Sequence, residues 1–315
     1  MNLFWKRAFG LLIPTTKYEQ YEVDFLIASE KLKSLQYSST LTEYKKLLLS
    51  NQFASSETKK QNNIRISQLE RHPDIVFFRK NIGKRNKPNR YASLTFSDDF
   101  YKEKPEENIW NFGFYFTNEN LIKNYSFHNE KQANNLGNNT TTFHGVIRIQ
   151  TRREAIKALA WHPQKGFAEK QYAYTSDVVQ TAKNFRQERG VFKAKIRCSG
   201  NVNHAFWLRT EKMDPQINIF HFDGSEIKVG FINNQKGSAI SIKGINPSQY
   251  YIYTLEWTKE ELIWYINNVV VFRSVNDIPT EKMFLVFNSF IPENTNGDEG
   301  LLEVDWVRVY QWIDK

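Results

Sequence analysis

The sequence predicts a mainly β protein, in which an antiparallel β-sandwich or barrel follows a small basic region of helices. From residue 91 onward, short runs of alternating apolar and polar residues recur, and few windows have helical spacing. The 315 residues hold 43 Lys and Arg against 34 Asp and Glu, and the whole net charge of +9 lies in residues 1–90. This change in composition divides the chain into residues 1–90 and 91–315, near the basic, turn-prone stretch 81–90.

Composition excludes several classes of protein. A hydrophobic content of 40% is enough for a packed core, so wholesale disorder is excluded. No apolar run approaches the ~18 residues that a membrane-spanning helix needs. The single cysteine, Cys198, excludes both an internal disulfide framework and a metal cluster held by several thiolates.

The first residues, MNLFWKRAFGLLIP, combine aromatic and basic side chains around a short apolar run. Residues 8–13 are six in number, whereas a secretory signal needs a core of about 7–15 apolar residues. An ordinary helix packed on its own domain, an interfacial amphipathic anchor and a signal peptide all stay open. We expect a cytoplasmic or peripheral membrane location rather than secretion.

Apolar residues at helical spacing continue through the basic region, at Leu26, Leu32, Leu35, Leu41, Tyr44 and Leu48. The paired lysines beside them are typical of a solvated helix face, and no nucleic-acid-binding motif is present. Nucleic acid is therefore not an expected partner. An anionic membrane surface and a protein partner are the alternatives for residues 1–90.

The C-terminal third contains several alternating runs that predict strands. Residues 251–258, 262–266 and 269–272 alternate, and Asn267-Asn268 between the last two suits a tight hairpin turn. Residues 283–290 and 301–312 alternate in the same way. The polar residues 127–142 predict a surface loop at the edge of the binding cleft. About 225 residues of short strands indicate one antiparallel sandwich or barrel.

A series of motifs in this body resembles glycoside hydrolase family 16, which contains laminarinases, lichenases and agarases. The motifs, in order, are LTFSDDF, YTSDVVQTAKNFRQERGVFKAKIRCSG, HAFWLR, PQINIFHFDG, YIYTLEWTKEELIWYINN and VDWVRVYQ. The resemblance covers residues 94–312 and implies a concanavalin A-like jelly roll of two packed sheets with a sugar-binding cleft. It also implies a catalytic strand that reads Glu-Ile-Asp-Ile-x-Glu.

The matching strand departs from the family at each catalytic position. Gln216 stands at the nucleophile, Asn218 at the middle carboxylate and His221 at the acid/base. A retaining glycosidase needs two carboxyl groups about 5–5.5 Å apart, and an amide neither attacks the sugar well nor carries negative charge. His221 can still donate a proton, and Asp214 is the nearest carboxylate on that side of the strand. We therefore expect no intact catalytic residue.

The resemblance also implies ligand-binding residues. The sugar-binding set is Trp207, Gln216, Asn218, His221 and Tyr250, with a core position as the alternative for Trp207. Asn203-His204 replace the Trp-Pro pair that the family usually has at the cleft. No cofactor is required, but the family's structural calcium would match Asp99 and Asp305, two carboxylates that could equally be solvated.

The sequence thus predicts that this chain binds a polysaccharide or oligosaccharide on a family 16-like fold without cleaving it. Two alternatives stay open. One is an atypical endo-acting glycoside hydrolase that uses His221 and an unidentified base. The other is a structural or interaction protein with a vestigial cleft.

Overall fold

A computed structural model describes residues 3–82, 92–114 and 125–312 of the chain. The five helices of these residues are α1 (Leu3–Ala8), α2 (Thr15–Leu35), α3 (Ser39–Phe53), α4 (Ser56–Leu69) and α5 (Pro73–Ile82). The strands are β1 (Ala92–Asp98), β2 (Asn111–Phe112), β3 (Ser126–Phe127), β4 (Gln132–Asn134), β5 (Thr140–Phe143), β6 (Val146–His162), β7 (Gly166–Ser176), β8 (Val178–Gln180), β9 (Gly190–Gly200), β10 (Asn203–Arg209), β11 (Gln216–Asp223), β12 (Ile227–Asn233), β13 (Lys236–Ile242), β14 (Tyr251–Trp257), β15 (Leu262–Ile266), β16 (Val269–Ser274), β17 (Phe284–Phe290) and β18 (Gly300–Trp312). The predicted fold class, mainly β with a small helical N-terminal region, is confirmed.

The chain divides into two compact units. One unit contains Met1–Tyr18 and Phe96–Val309, and the other contains Glu19–Thr95 and Tyr310–Lys315. The predicted boundary between residues 90 and 91 lies outside the described residues and stays a prediction. The first 18 residues nevertheless group with the strands, because Leu3 and Leu12 belong to the sandwich core.

The helical unit follows from capping and apolar spacing. The Ser38 and Ser55 side chains begin α3 and α4, where each hydroxyl oxygen accepts a hydrogen bond from a backbone N–H three residues later. The apolar residues that recur at helical spacing then form a separate core, which contains Leu32, Leu35, Leu41, Tyr44, Ile66, Leu69 and Ile75. No helix among the described residues is long and apolar enough to cross a membrane.

The sandwich consists of two sheets. The main path of the larger sheet has the order β16-β15-β14-β9-β18-β6-β7-β4, and the smaller sheet has the order β13-β12-β11-β10-β17-β8-β2. Alternation along each strand sends one set of side chains between the sheets. This main core includes Phe192 and Leu255 of the larger sheet and Phe206 and Ile217 of the smaller one, all fully buried.

The turn predicted at Asn267-Asn268 is present, and it also holds the N-terminal segment. Ile266 pairs with Val269 across the turn, and Asn267 has a φ of 49°. The Asn267 Nδ2 group donates to the Ile13 carbonyl at 2.9 Å, while Asn268 Oδ1 accepts from the Ile13 N–H at 2.8 Å. Side-chain amides of one hairpin thus fix the chain that leads out of α1.

The prediction that residues 127–142 form a loop is wrong, because they contain β4 and parts of β3 and β5. β3 and β4 pair in parallel with β6 and β7, and Gln132, Ala133 and Asn134 are buried. Beside these strands lies a second apolar cluster, to which Phe114, Trp207 and Val286 contribute. Pairing with the long β6–β7 hairpin therefore orders this polar segment at the edge of the larger sheet.

Candidate functional site

A bulge in β11 places on one face the three residues that stand at the family's catalytic positions. Gln216, Asn218 and His221 are partly exposed, whereas the intervening residues Ile217 and Phe220 are fully buried. The register of β11 against β12 shifts between Asn218 and His221, which adds one residue to the strand. The spacing of two and then three residues therefore keeps all three side chains on the same side.

These three side chains line a cavity of about 320 Å³ with residues from β10, β17 and the 127–130 segment. The lining consists of Phe114, Phe127, Asn129, Glu130, Ala205, Trp207, Met213, Gln216, Asn218, His221, Asn288 and Phe290. Apolar and aromatic walls with a few amide groups are usual for a small-molecule site. We call this cavity the β11 pocket.

His221 is uncharged near neutral pH. Burial lowers the pKa of its imidazole below the usual value of 6.5. Its Nε2 lies 3.3 Å from Asn203 Nδ2, so it accepts a hydrogen bond from that amide. This places the ring proton on Nδ1. A neutral imidazole is a hydrogen-bonding group and a weak base here.

His204 has a structural role. It is fully buried, and its ring nitrogens contact Ser289 Oγ at 2.7 Å and the Ser199 carbonyl at 3.0 Å. Burial lowers its pKa to about 4, so it also stays neutral. Both ring nitrogens are used within the protein, and His204 does not line the pocket.

Trp207 has two roles in the structure. It lines the β11 pocket, but only 8% of it is exposed and it belongs to the second apolar cluster. Its Nε1 donates to Asn288 Oδ1 at 3.0 Å, and the Arg209 guanidinium lies over its ring. The ring therefore forms a wall of the pocket and part of the core at once.

The structure does not bring Tyr250 to the other sugar-binding candidates. Tyr250 directly precedes β14 in the larger sheet, where the Arg197 guanidinium carbon lies 4.6 Å from its ring centroid. Its carbonyl accepts from Thr15 Oγ1 at 2.6 Å, and its side chain lines a different cavity beside the N-terminal segment. The order of the motifs along the chain does not reveal which sheet each strand joins. Tyr250 lies apart from the other candidates because β14 belongs to the larger sheet.

Each proposed calcium ligand already has a cationic partner. Asp99 Oδ1 accepts from Arg308 Nη2 at 3.0 Å, and Asp305 forms an ion pair with Lys195. Across residues 3–82, 92–114 and 125–312, no three His, Cys, Asp or Glu side chains converge as a metal site would require. In this arrangement the pair does not fit a calcium site, and calcium binding stays a prediction.

Two carboxylates near the pocket have different environments. Asp214, the candidate base, accepts from the backbone N–H groups of Asn234 and Gln235 at 2.9 and 2.8 Å and does not line the pocket. Glu130, which sequence reasoning missed, does line it, and burial raises its pKa to about 8. The predicted position of residues 127–142 at the cleft edge agrees with this lining, but no local signal singled out Glu130, which is held there by the pairing of β3 and β4 and by a bridge to Pro292.

Among the described residues that line it, the site thus has one carboxyl group where a retaining glycosidase needs two. Gln216 and Asn218 present amides at the positions of the nucleophile and its neighbour, so no glycosyl ester can form there. The amides, the imidazole and the aromatic walls can bind hydroxyl groups and the apolar face of a sugar ring.

Comparisons with known proteins agree with this architecture. No protein-family model matches the chain. The chain is 25% identical over 159 residues to endo-1,3-1,4-beta-glycanase ExsH of Rhizobium meliloti (strain 1021), a match that covers 44% of this chain and 34% of that protein. The chain therefore spans about a third of the length of the curated relatives it matches.

Solved structures match over most of the sandwich. The catalytic domain of an endo-1,3-beta-glucanase (laminarinase) from Thermotoga petrophila RKU-1 superposes with a TM-score of 0.56 at 18% identity, covering 71% of this chain and 99% of that one. LamA from Zobellia galactanivorans, in complex with laminaritriose and laminaritetraose, gives a TM-score of 0.54 at 19% identity, covering 69% and 98%. The sheets and their order, together with these superpositions, show that this chain has a glycoside hydrolase family 16-like β-sandwich fold.

Proposed function

We propose that this protein binds a polysaccharide or oligosaccharide in the β11 pocket and does not cleave it by double displacement. The observation that carries the proposal is the pocket itself, where Gln216, Asn218 and His221 share one face with an aromatic wall at Trp207. Amides and a neutral imidazole offer both donors and acceptors to sugar hydroxyls.

The comparisons support a sugar as the ligand. Relatives that resemble this chain are named as glycanases, and one similar structure contains laminaritriose and laminaritetraose. Because those proteins share the fold at low identity, they indicate the class of ligand and not the linkage. Fold alone does not decide between binding and cleavage.

The chemistry of the pocket favours binding over hydrolysis. Without a nucleophile, only proton transfer by His221 and Glu130 remains, and transfer by one such group contributes about 10²–10⁴-fold to a rate. Enzymes accelerate their reactions by roughly 10⁶–10¹⁷-fold. Neither His221 nor Glu130 alone supplies the difference, so the supported function is glycan binding.

A panel of soluble and insoluble polysaccharides tests the proposal. We expect purified protein to bind at least one of laminarin, lichenan, agarose or carrageenan, and to release no reducing ends from any of them. Asn218→Ala should weaken binding at least tenfold, whereas Asn233→Ala, outside the pocket on the neighbouring strand, should leave it unchanged. Hydrolysis that disappears in His221→Ala would instead support the atypical hydrolase.

A second proposal concerns the N-terminal segment, which we propose contacts an anionic membrane surface. Trp5 and Phe9 are 53% and 70% exposed, their rings stack with centroids 6.1 Å apart, and Lys6 and Arg7 lie between them in the chain. Aromatic rings beside basic residues favour the interface of anionic bilayers. A peripheral membrane location would follow from this proposal.

Vesicle co-sedimentation tests this second proposal. Vesicles with phosphatidylglycerol should retain the protein, and pure phosphatidylcholine vesicles should retain less. Phe9→Ser should reduce binding severalfold, whereas Phe53→Ser, which changes a 91% exposed ring at the end of α3, should not. Equal retention of both variants would exclude the segment as the contact and leave a protein partner for residues 1–90.

A further inference from the structure

The β11 pocket has an unusual charge composition for a site on a sugar-acting fold. Its twelve described lining residues include no Lys or Arg and a single acid, Glu130. Proteins that recognise sulfate or carboxylate groups generally place Arg or Lys against them. An anionic sugar would therefore find no cationic partner among the lining residues that the structure describes.

The Glu130 carboxyl group has a fixed position. Gln132 is buried, and its Oε1 accepts from the Ile291 N–H at 2.6 Å, which fixes the orientation of the amide. The Gln132 Nε2 group then donates to Glu130 Oε2 at 2.6 Å. One oxygen of the carboxyl group is thereby committed as an acceptor.

The Lys170 ammonium group makes its hydrogen bonds to atoms other than the Glu130 carboxylate. Lys170 Nζ donates to the backbone carbonyls of His128 and Glu130 at 2.6 and 2.9 Å, and to Glu293 Oε2 at 2.9 Å. An ammonium group has three protons, so these contacts use all of them. Within the described part of the chain, Glu130 thus lies in a half-buried site with no cation bonded to its carboxylate.

These contacts determine where the proton of Glu130 sits. Since Oε2 accepts from Gln132, a neutral carboxyl group carries its hydrogen on Oε1 and can donate it to a ligand. We propose that Glu130 is a specificity-determining residue, which donates a hydrogen bond to the ligand and selects an uncharged polysaccharide over a sulfated or uronate-bearing one. This inference rests on the proposed function.

The pH dependence of binding provides the test, because burial raises the pKa of Glu130 to about 8. Above that pH the carboxyl group loses its hydrogen and becomes an anion, so affinity should fall as pH rises. In the described structure, the titratable groups near it include Lys170 and Tyr172 on β7, Tyr125, Glu293, His221, and His128 and Lys131 beside it in the chain. His221 stays neutral above pH 7, since burial lowers its pKa, and burial of the two tyrosines raises theirs.

Calorimetric titration with laminaritetraose at pH 7 and pH 9 measures the effect. With a pKa near 8, we expect the wild-type affinity to fall about tenfold between these pH values. Glu130→Gln keeps an acceptor for Gln132 and a permanent N–H donor, so its affinity should stay near the pH 7 value at both. Glu281→Gln, the same change at an exposed side chain outside the pocket, should follow the wild type.

A sulfated carrageenan tetrasaccharide completes the test. The wild type should bind it at least tenfold more weakly than laminaritetraose at pH 7. Equal affinity for both sugars, or an unchanged pH dependence in a folded Glu130→Gln variant, would overturn the role of Glu130 while leaving glycan binding intact. Wild-type protein that binds neither these sugars nor any polysaccharide of the panel would overturn the proposed function itself.

Discussion

Replacement of Trp207 by alanine tests whether the wall of the β11 pocket is also part of the core. The indole is 8% exposed, and truncation of a buried Trp costs about 3–5 kcal/mol. The change also leaves Asn288 Oδ1 without its indole donor, although Asn288 can rotate and recover part of this loss. We therefore expect the free energy of unfolding of the sandwich to fall by about 4 kcal/mol.

Thermal denaturation followed by circular dichroism measures this loss. For a unit of this size, 1 kcal/mol corresponds to about 2–4 °C, so the melting temperature should fall by roughly 8–16 °C. Trp5→Ala is the matched control, because Trp5 is 53% exposed and should change stability by less than about 0.5 kcal/mol. If Trp207→Ala and Trp5→Ala melt alike, Trp207 is not part of the core and the packing described for it is wrong.

Three further predictions concern the core, the Cys198 thiol and the restoration of the family's catalytic carboxylates. In a urea titration, Leu12→Ala should lower the free energy of unfolding of the sandwich by about 2–5 kcal/mol. Leu11→Ala, at a 53% exposed side chain, should have little effect. Equal effects of the two changes would contradict the packing of the N-terminal segment. Burial raises the pKa of Cys198 to about 12. The folded protein should therefore resist iodoacetamide at pH 8 and react only on unfolding. Rapid labelling without denaturant would show that solvent reaches the core at Cys198. Gln216→Glu alone should not create hydrolysis, because the nucleophile and the acid act as a unit. The smallest change that could create hydrolysis combines it with Asn218→Asp and His221→Glu. Turnover by the single variant would refute this dependence.

Local sequence patterns were sufficient to predict several strands, but not the face of the site. Alternation predicted β14, β15 and β16 with the Asn267 turn, because periodicity fixes which side of a strand each side chain occupies. Strict alternation would place His221 opposite Gln216 and Asn218. The resemblance to family 16 identified these three positions, and the bulge in β11 puts their side chains on one face.

Long-range pairing was not predictable in the same way. Glu130 reaches the pocket because β3 and β4 pair with β6 and β7, more than thirty residues away. Leu12 enters the sandwich core through hydrogen bonds of the neighbouring residues to Asn267 and Asn268, some 250 residues later. Tyr250 shows the reverse case, because its motif lies near the others in order but its strand lies in the other sheet. A single sequence specifies the faces of strands more directly than the neighbours of those strands.

The most direct measurement of the central claim, binding without cleavage, is a proton NMR titration of laminaritetraose with the purified protein. We expect saturable broadening of the sugar resonances, reduced in Asn218→Ala, with no new reducing-end anomeric signal after prolonged incubation. New anomeric signals that grow with time and disappear in His221→Ala would contradict it. Sharp, unshifted sugar resonances at every protein concentration, repeated across the polysaccharide panel, would contradict it as well.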